Sequence, residues 1–335
     1  MHIPLAIDMI GQAKAKTKGF RMVWLKSAVV AVTLVVACFQ PASTQQSPMP
    51  EEVAAKLQQL GRVVDASKTG DVYAPLQEKE PYQGVKIERD IKYGADDRNL
   101  LDVFAPESRS SPRAILIYIH GGGFVRGPKR ASGSPFNDNV MLWAVRNGYI
   151  GINAIYRLAP NAIWPSGAED LAAAVQWVSD NIGARGGEPA RIYMMGHSAG
   201  AVHVADYVSR PEFHKVKGGG LAGAILVSGI YDMPATSVND YRVYFGTNAS
   251  QHAEQSSLSG LLTTKTPLMV VAAELDPPGF VQQFELLKQA SCKRLSGCSR
   301  AVMLPQHSHM SEVYSINTAD TRLTGEIIDF MNTGK

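Results

Sequence analysis

Ser198 stands in Gly196-His197-Ser198-Ala199-Gly200, a G-x-S-x-G pentapeptide between two different local patterns. Arg191–Met195 before it is a short, mostly apolar run that reads as a buried strand. Ala199–Tyr207 after it is rich in Ala and Val and suits a helix. A strand, a sharp turn and a helix are what a serine needs to project its hydroxyl as a nucleophile. Glycines on either side permit close backbone approach in such a turn. The turn also sets the Ala199 amide at a helix N-terminus, facing any negative charge that develops on a substrate. A serine hydroxyl is a weak nucleophile alone. It requires a base, a carboxylate to orient the base, and hydrogen-bond donors for an oxyanion. A lone pentapeptide of this kind can also be an ordinary turn, so the other parts must be found.

The donors come from His120-Gly121-Gly122-Gly123-Phe124, which follows the continuous apolar run Ala114–Ile119. Consecutive glycines let the backbone turn its N–H groups inward, so the amides of Gly121 and Gly122, with that of Ala199, form the expected oxyanion hole. His120 is read as holding this loop and not as a proton carrier. The apolar strand Leu268–Ala272 leads to Glu274 and Asp276. Asp276, on the loop past the strand end, is the favoured acid; Glu274 lies nearer the strand and is assigned structural contacts. The base follows in chain order. Arg300–Leu304 reads as the last strand, and the loop after it offers His307 and His309, either of which could serve.

These residues need a scaffold, and the chain alternates elements that supply one. Expected strands are Val85–Tyr93, Leu100–Phe104, Ala114–Ile119, Ile150–Ile155, Ile192–Met195, Leu221–Val227, Leu268–Ala272 and Arg300–Leu304. Helical segments are expected at Val140–Asn147, Ala168–Asn181, Ala199–Tyr207, Gly279–Ala290 and Thr321–Met331. Fully apolar strands separated by helices predict an α/β fold with a mostly parallel sheet covered on both faces. The stretch Tyr231–Ser259, with Tyr241, Tyr244 and Phe245, reads as a cap-like insertion. Together with Phe124, Val125 and the Trp164 region it is expected to line the acyl and alcohol pockets.

Charge and cysteine usage narrow the function further. The formal charge of +3 is carried by the first 38 residues, where Lys14, Lys16, Lys18, Arg21 and Lys26 outnumber Asp8. The remainder has no basic stripe, which argues against a nucleic-acid partner. Ser27–Cys38 is an apolar run behind Lys26, too short for a membrane span but suited to a signal peptide. Val35-Val36-Ala37-Cys38 resembles a bacterial lipobox, so the expectation is export, either periplasmic or as a lipoprotein anchored to the membrane through a lipidated Cys38; an uncleaved anchor or ordinary signal cleavage near Ala42 is the alternative, and Met22 is an alternative start. Residues 39–80 read as a tether and a short N-terminal helix, and residues 81–335 as the catalytic domain. Removing Cys38 from the count leaves Cys292 and Cys298, spaced for a small disulfide loop. No Cys/His spacing suggests a metal site, and no cofactor is called for.

The pairing of His-Gly-Gly-Gly at 120–123 with Gly-His-Ser-Ala-Gly at 196–200 resembles the hormone-sensitive-lipase-like branch of the α/β hydrolases. Tyr156-Arg-Leu-Ala-Pro160 with Asp170 downstream is similar to that branch too. Within it, the elbow and His309-Met-Ser-Glu-Val-Tyr resemble bacterial carboxylesterases and bifunctional feruloyl and acetyl xylan esterases, to which kynurenine formamidases are related. The resemblance runs from about Leu100 to the C-terminus. It implies the catalytic set Ser198, Asp276 and His309, an Arg157–Asp170 bracket, and hydrolysis of small-molecule or polysaccharide-linked esters. His197 stands where many members have Asp, a departure toward this subgroup. An amidase of the formamidase type and a non-catalytic binding protein on the same fold are the alternative expectations.

Overall fold

The structure is a computed structural model that describes residues 48–108, 112–238, 241–294 and 297–334. Eight strands form one sheet: β1 (Val85–Lys92), β2 (Leu100–Pro106), β3 (Arg113–Ile119), β4 (Ile150–Ala154), β5 (Gly187–His197), β6 (Gly223–Val227), β7 (Leu268–Leu275) and β8 (Arg300–Ser308). Their spatial order is β1-β2-β4-β3-β5-β6-β7-β8. β1, β2 and β4 pair antiparallel, and every pairing from β4 through β8 is parallel. The helices are α1 (Glu51–Leu60), α2 (Ala66–Tyr73), α3 (Asp138–Arg146), α4 (Ser166–Asn181), α5 (Ala199–Ser209), α6 (Arg242–Phe245), α7 (Ala249–Gln255), α8 (Leu258–Thr263), α9 (Pro278–Ser291), α10 (Ser311–Tyr314) and α11 (Arg322–Thr333).

The period of two along β3 divides the core. Ile115, Ile117 and Ile119 face a cluster that includes Leu171 and Val175 of α4, Val204 and Val208 of α5, and Phe284 and Leu287 of α9. Leu116 and Tyr118 face the opposite cluster, with Met141 and Val145 of α3 and Ile327 and Phe330 of α11. Both faces are therefore dry, which is why the strands read as unbroken apolar runs and not as alternating ones. Truncating a fully buried side chain such as Ile117 would cost about 2–5 kcal/mol.

Ahead of β1 the described residues form two helices, α1 and α2, which pack against the sheet-bearing part of the chain. Val53, Ala54 and Leu57 of α1 and Tyr73 of α2 bury themselves with Met49 against Leu275 at the end of β7. Gln77 Nε2 donates to the carbonyls of Tyr314 and Ile316. The helical periodicity of α1 is visible in the sequence, but its docking depends on a partner more than 200 positions away. Gly61 ends α1 at φ 73° and Asp65 caps α2 by accepting from Lys68 N, which accounts for the break between the helices. The expected signal segment, Met22 and Cys38 lie outside the described residues. Cys292 and Cys298 are joined as a disulfide after α9.

Candidate active site

Ser198 sits at the C-terminal end of β5, in the middle of the sheet, with φ 55° and ψ −121°. Such a backbone costs about 1–3 kcal/mol and persists only where its surroundings dictate it. Here the Ser198 N–H donates to Val227 O at 2.8 Å, and Ser198 O accepts from Ala201 and Val202 as α5 begins. A Cβ on Gly196 would lie 2.6 Å from Ala201 N, and one on Gly200 would lie 2.6 Å from His120 O. Both glycines of the elbow are therefore required by close approach of backbone. Ala199, the first residue of α5, presents its amide at the helix N-terminus.

The glycine loop follows β3 directly. Gly122 adopts φ 127°, open to glycine alone, and its carbonyl accepts from Val125 and Arg126 to close the turn. The N–H groups of Gly121, Gly122 and Ala199 donate to no described residue, and all three residues line one cavity with Ser198 and His309. His120 holds the loop, as expected: its Nδ1 lies 2.6 Å from Gly121 O, its ring stacks on Tyr156, and its own carbonyl accepts from Tyr156 Oη. Burial lowers its pKa to about 4, so it is neutral near pH 7.

The structure brings His309 and Asp276 together. His309 Nδ1–H donates to Asp276 Oδ1 at 2.7 Å, while its Nε2 is buried without a hydrogen-bond partner among the described residues. Asp276 Oδ2 accepts from Ala273 N–H at 2.9 Å and from Ser228 Oγ–H at 2.6 Å. Glu274, the rival acid, is exposed and accepts from Gln306 N. His307 does not meet Ser198's cavity. Arg157 donates through N and Nε to Asp170, giving the bracket implied by the resemblance.

Two residues behind the triad carried no functional reading in the sequence. Ser228 Oγ lies 2.8 and 3.0 Å from the carboxyl oxygens of Glu312, which is fully buried. A hydroxyl has one proton. If that proton goes to Asp276, Ser228 can only accept from Glu312, which must then hold a proton of its own. Burial, reinforced by the charge of Asp276, holds the Glu312 carboxyl well above the usual carboxylate range, in keeping with that direction. His197, flanking the nucleophile, donates from Nε2 to His309 O at 2.8 Å and so ties the elbow to the loop that bears the base. Burial, and then the neighbouring His309, bring its pKa to about 3, which leaves it neutral. His197, His309 and Glu312 could each offer one metal-ligand atom, these lying within 4.8 Å of one another. The His197 and Glu312 donors are already engaged by His309 O and Ser228.

The cavity has a volume of about 480 Å³. Phe124, Val202, Ile230, Tyr241 and Phe280 give it an aromatic and aliphatic wall, continuous with a buried cluster that includes Tyr244 and Phe245. The cap-like insertion therefore contributes Tyr241 directly, whereas Tyr244 stacks behind Phe124 at 4.9 Å. Trp164 packs against the same cluster without lining the cavity, and Val125 faces a separate surface groove with Ile163. The other wall includes Val64 and Ala66, from the junction of α1 and α2, with Pro128, Asn137 and Tyr314. Arg62 on that junction donates to Asp276 O at 3.2 Å.

This arrangement is the α/β-hydrolase fold. A family model described as BD-FAE matches residues 101–213, from β2 through the elbow to the segment after α5. Esterase LipQ of Mycobacterium tuberculosis is 31% identical over 204 residues, 57% of this chain and 47% of that protein. Para-nitrobenzyl esterase of Bacillus subtilis is 33% identical over 128 residues, 35% of this chain and 25% of its own. The chain thus spans less than half the length of either curated relative. Among solved structures, esterase B of Lactobacillus rhamnosis superimposes with a TM-score of 0.64 at 18% identity, covering 84% of this chain and 95% of that one.

Proposed function

We propose that the protein is a serine carboxylesterase that hydrolyses short-chain or aryl esters through an acyl-enzyme. The observation that carries this reading is the His309–Asp276 pair, its Nε2 unpartnered among the described residues, with His309 lining the cavity that also holds Ser198 and the unengaged amides of Gly121, Gly122 and Ala199. Ser198 Oγ attacks the acyl carbon while its proton passes to His309 Nε2, and Asp276 stabilises the imidazolium through Nδ1–H. The carbonyl oxygen, now negative, receives hydrogen bonds from the loop and helix amides; each such donor is typically worth about 3 kcal/mol of barrier. Collapse of the tetrahedral species breaks the ester C–O bond, and the leaving alkoxide takes the proton from Nε2. Water then attacks the acyl-serine with His309 again as base, releasing the acid and restoring Ser198.

The cavity volume supports acyl and alcohol groups of modest size, and its aromatic wall suits an aryl group on either side of the ester. The two curated relatives carry esterase names, in line with this reading. The apolar run ending at Cys38 supports an exported, lipid-anchored enzyme. The test is Ser198→Ala assayed on p-nitrophenyl acetate, with a fluorophosphonate probe in parallel. Loss of roughly 10⁴-fold or more in kcat, with loss of labelling, is expected; retained turnover or labelling would overturn the assignment.

A further inference from the structure

We propose that Arg126 selects esters carrying a carboxylate within a few bonds of the scissile carbonyl. This deepens the esterase reading above and rests on it. Among the described residues that line the cavity, Arg126 is the only Lys or Arg, and none is Asp or Glu. It is exposed and has no ion-pair or hydrogen-bond partner for its side chain among the described residues. Its neighbours on the same loop differ sharply. Lys129 is buried and paired with Asp90 and Asp102, and Arg130 is paired with Asp90 at 3.2 Å. A charge left unmatched at the mouth of a site, where nearby cations are matched, is free to meet a charge on the substrate.

Its placement suits that task. The chain turns back after Gly122, so a Cβ on Gly122 would lie 3.3 Å from Arg126 Cγ. The stem of the arginine thus begins beside the oxyanion loop, and the residue lines the cavity. The cavity is also divided in composition. Phe124, Ile230, Tyr241 and Phe280 belong to one apolar cluster, while the other wall is mixed, with Val64, Ala66 and Tyr314 beside Pro128 and Asn137 and with Arg126 as its charge. An ester with one apolar and one anionic end matches this division: the apolar end against the aromatic wall, the carboxylate beside the guanidinium, where planar bidentate pairing is available.

The test compares matched esters. On the acyl side, mono-p-nitrophenyl succinate is set against p-nitrophenyl butyrate; on the alcohol side, para-acetoxybenzoate against para-acetoxybenzamide. The quantity read is the ratio of kcat/KM, anionic over neutral, which cancels losses of folding. Arg126→Ala is expected to lower that ratio about fivefold in one of the two pairs, and Arg126→Glu about tenfold or more. Arg130→Ala is expected to leave it unchanged, and raising the salt to 1 M to shrink the wild-type advantage. The pair that responds identifies the end of the ester that carries the charge. A ratio unmoved by Arg126→Glu in both pairs would overturn the proposal, whereas a wild-type protein that hydrolyses none of the four would overturn the esterase reading itself.

Discussion

His307 and His309 leave the same strand end, are both buried, and each meets an aspartate, yet the two pairs are built for opposite ends. His307 has both ring nitrogens against protein groups: Nδ1 lies 3.0 Å from Ser311 Oγ, and Nε2 lies within ion-pair distance of Asp320, at 3.0 Å. Asp320 is further matched by Arg322, which approaches through its backbone N–H, Nε and Nη2. Burial pushes the Asp320 carboxyl up, but the hydrogen bonds from His307 and Arg322 outweigh it and bring the pKa to about 2. His309 spends only Nδ1, and its Asp276 receives neutral donors, Ala273 N–H and Ser228 O–H, instead of an arginine. An aspartate already neutralised by a guanidinium has little left to offer a developing imidazolium. An aspartate held by neutral groups keeps its full charge for that purpose. A buried His–Asp pair is thus suited to catalysis where the ring lines a cavity, as His309 does and His307 does not, and where no guanidinium compensates the carboxylate.

The sharpest way to break this comparison is to delete each ring. His309→Ala is expected to reduce kcat on p-nitrophenyl acetate by about 10⁴-fold or more, with a chemical denaturation midpoint close to that of the parent. His307→Ala should do the reverse, retaining turnover per folded molecule within about tenfold while losing about 2–4 kcal/mol of stability, because Asp320 is left buried with one partner fewer. If His307→Ala abolished turnover in a folded protein, the assignment of the base would fall.

The two aspartates sharpen the same contrast through pH. Asp276→Asn should lower kcat by about 10³–10⁴-fold, since the amide favours the wrong imidazole tautomer. Asp320→Asn should act on stability. A carboxyl whose folded pKa is about 2, against an ordinary 3.8, adds stability that is complete above the ordinary value and fades as pH falls through the folded one. The wild type should therefore exceed Asp320→Asn by about 2 kcal/mol in denaturation at pH 6, with the gap closing as pH approaches 2. A gap independent of pH would mean that the carboxylate charge is not what holds that corner.

Much of this was legible in the chain because it is local. The elbow, the glycine loop and Asp276 past the end of β7 all follow from the runs beside them, and the apolar strands announce a sheet covered on both sides. The choice between His307 and His309 was not local. It depends on Asp320 and Arg322 claiming one ring and Asp276 the other, and from the residues alone the two remained equal; only the family resemblance favoured His309. The role of α1 and α2 was hidden for the same reason, since Val64 and Ala66 reach the cavity only because Leu57 and Tyr73 dock near Leu275. Ser228 gives a faint signal, a small polar residue ending the apolar run of β6, where it takes φ 49°. Glu312 gives almost none. A glutamate in a helical segment reads as surface, whereas Glu312 is buried with Ser228 beside it.

The smallest effect tests how far the neutral surroundings of Asp276 extend. If Glu312 carries its proton, Glu312→Gln replaces one neutral donor to Ser228 with another, and turnover should stay within about threefold of the parent. Ser228→Ala removes the hydroxyl that Asp276 relies on and should cost about tenfold in kcat with little change in KM. Stability adds an independent sign. A carboxyl whose pKa is raised by folding favours the folded state at low pH, and that contribution is lost as pH rises toward the folded pKa. Glu312→Gln does not titrate, so its denaturation midpoint should gain on that of the wild type between pH 5 and pH 8. A loss of activity as large as that of Asp276→Asn, or a relative stability that falls with rising pH, would mean that Glu312 is ionised. The dyad at His309 would then sit among charges, as the one at His307 does.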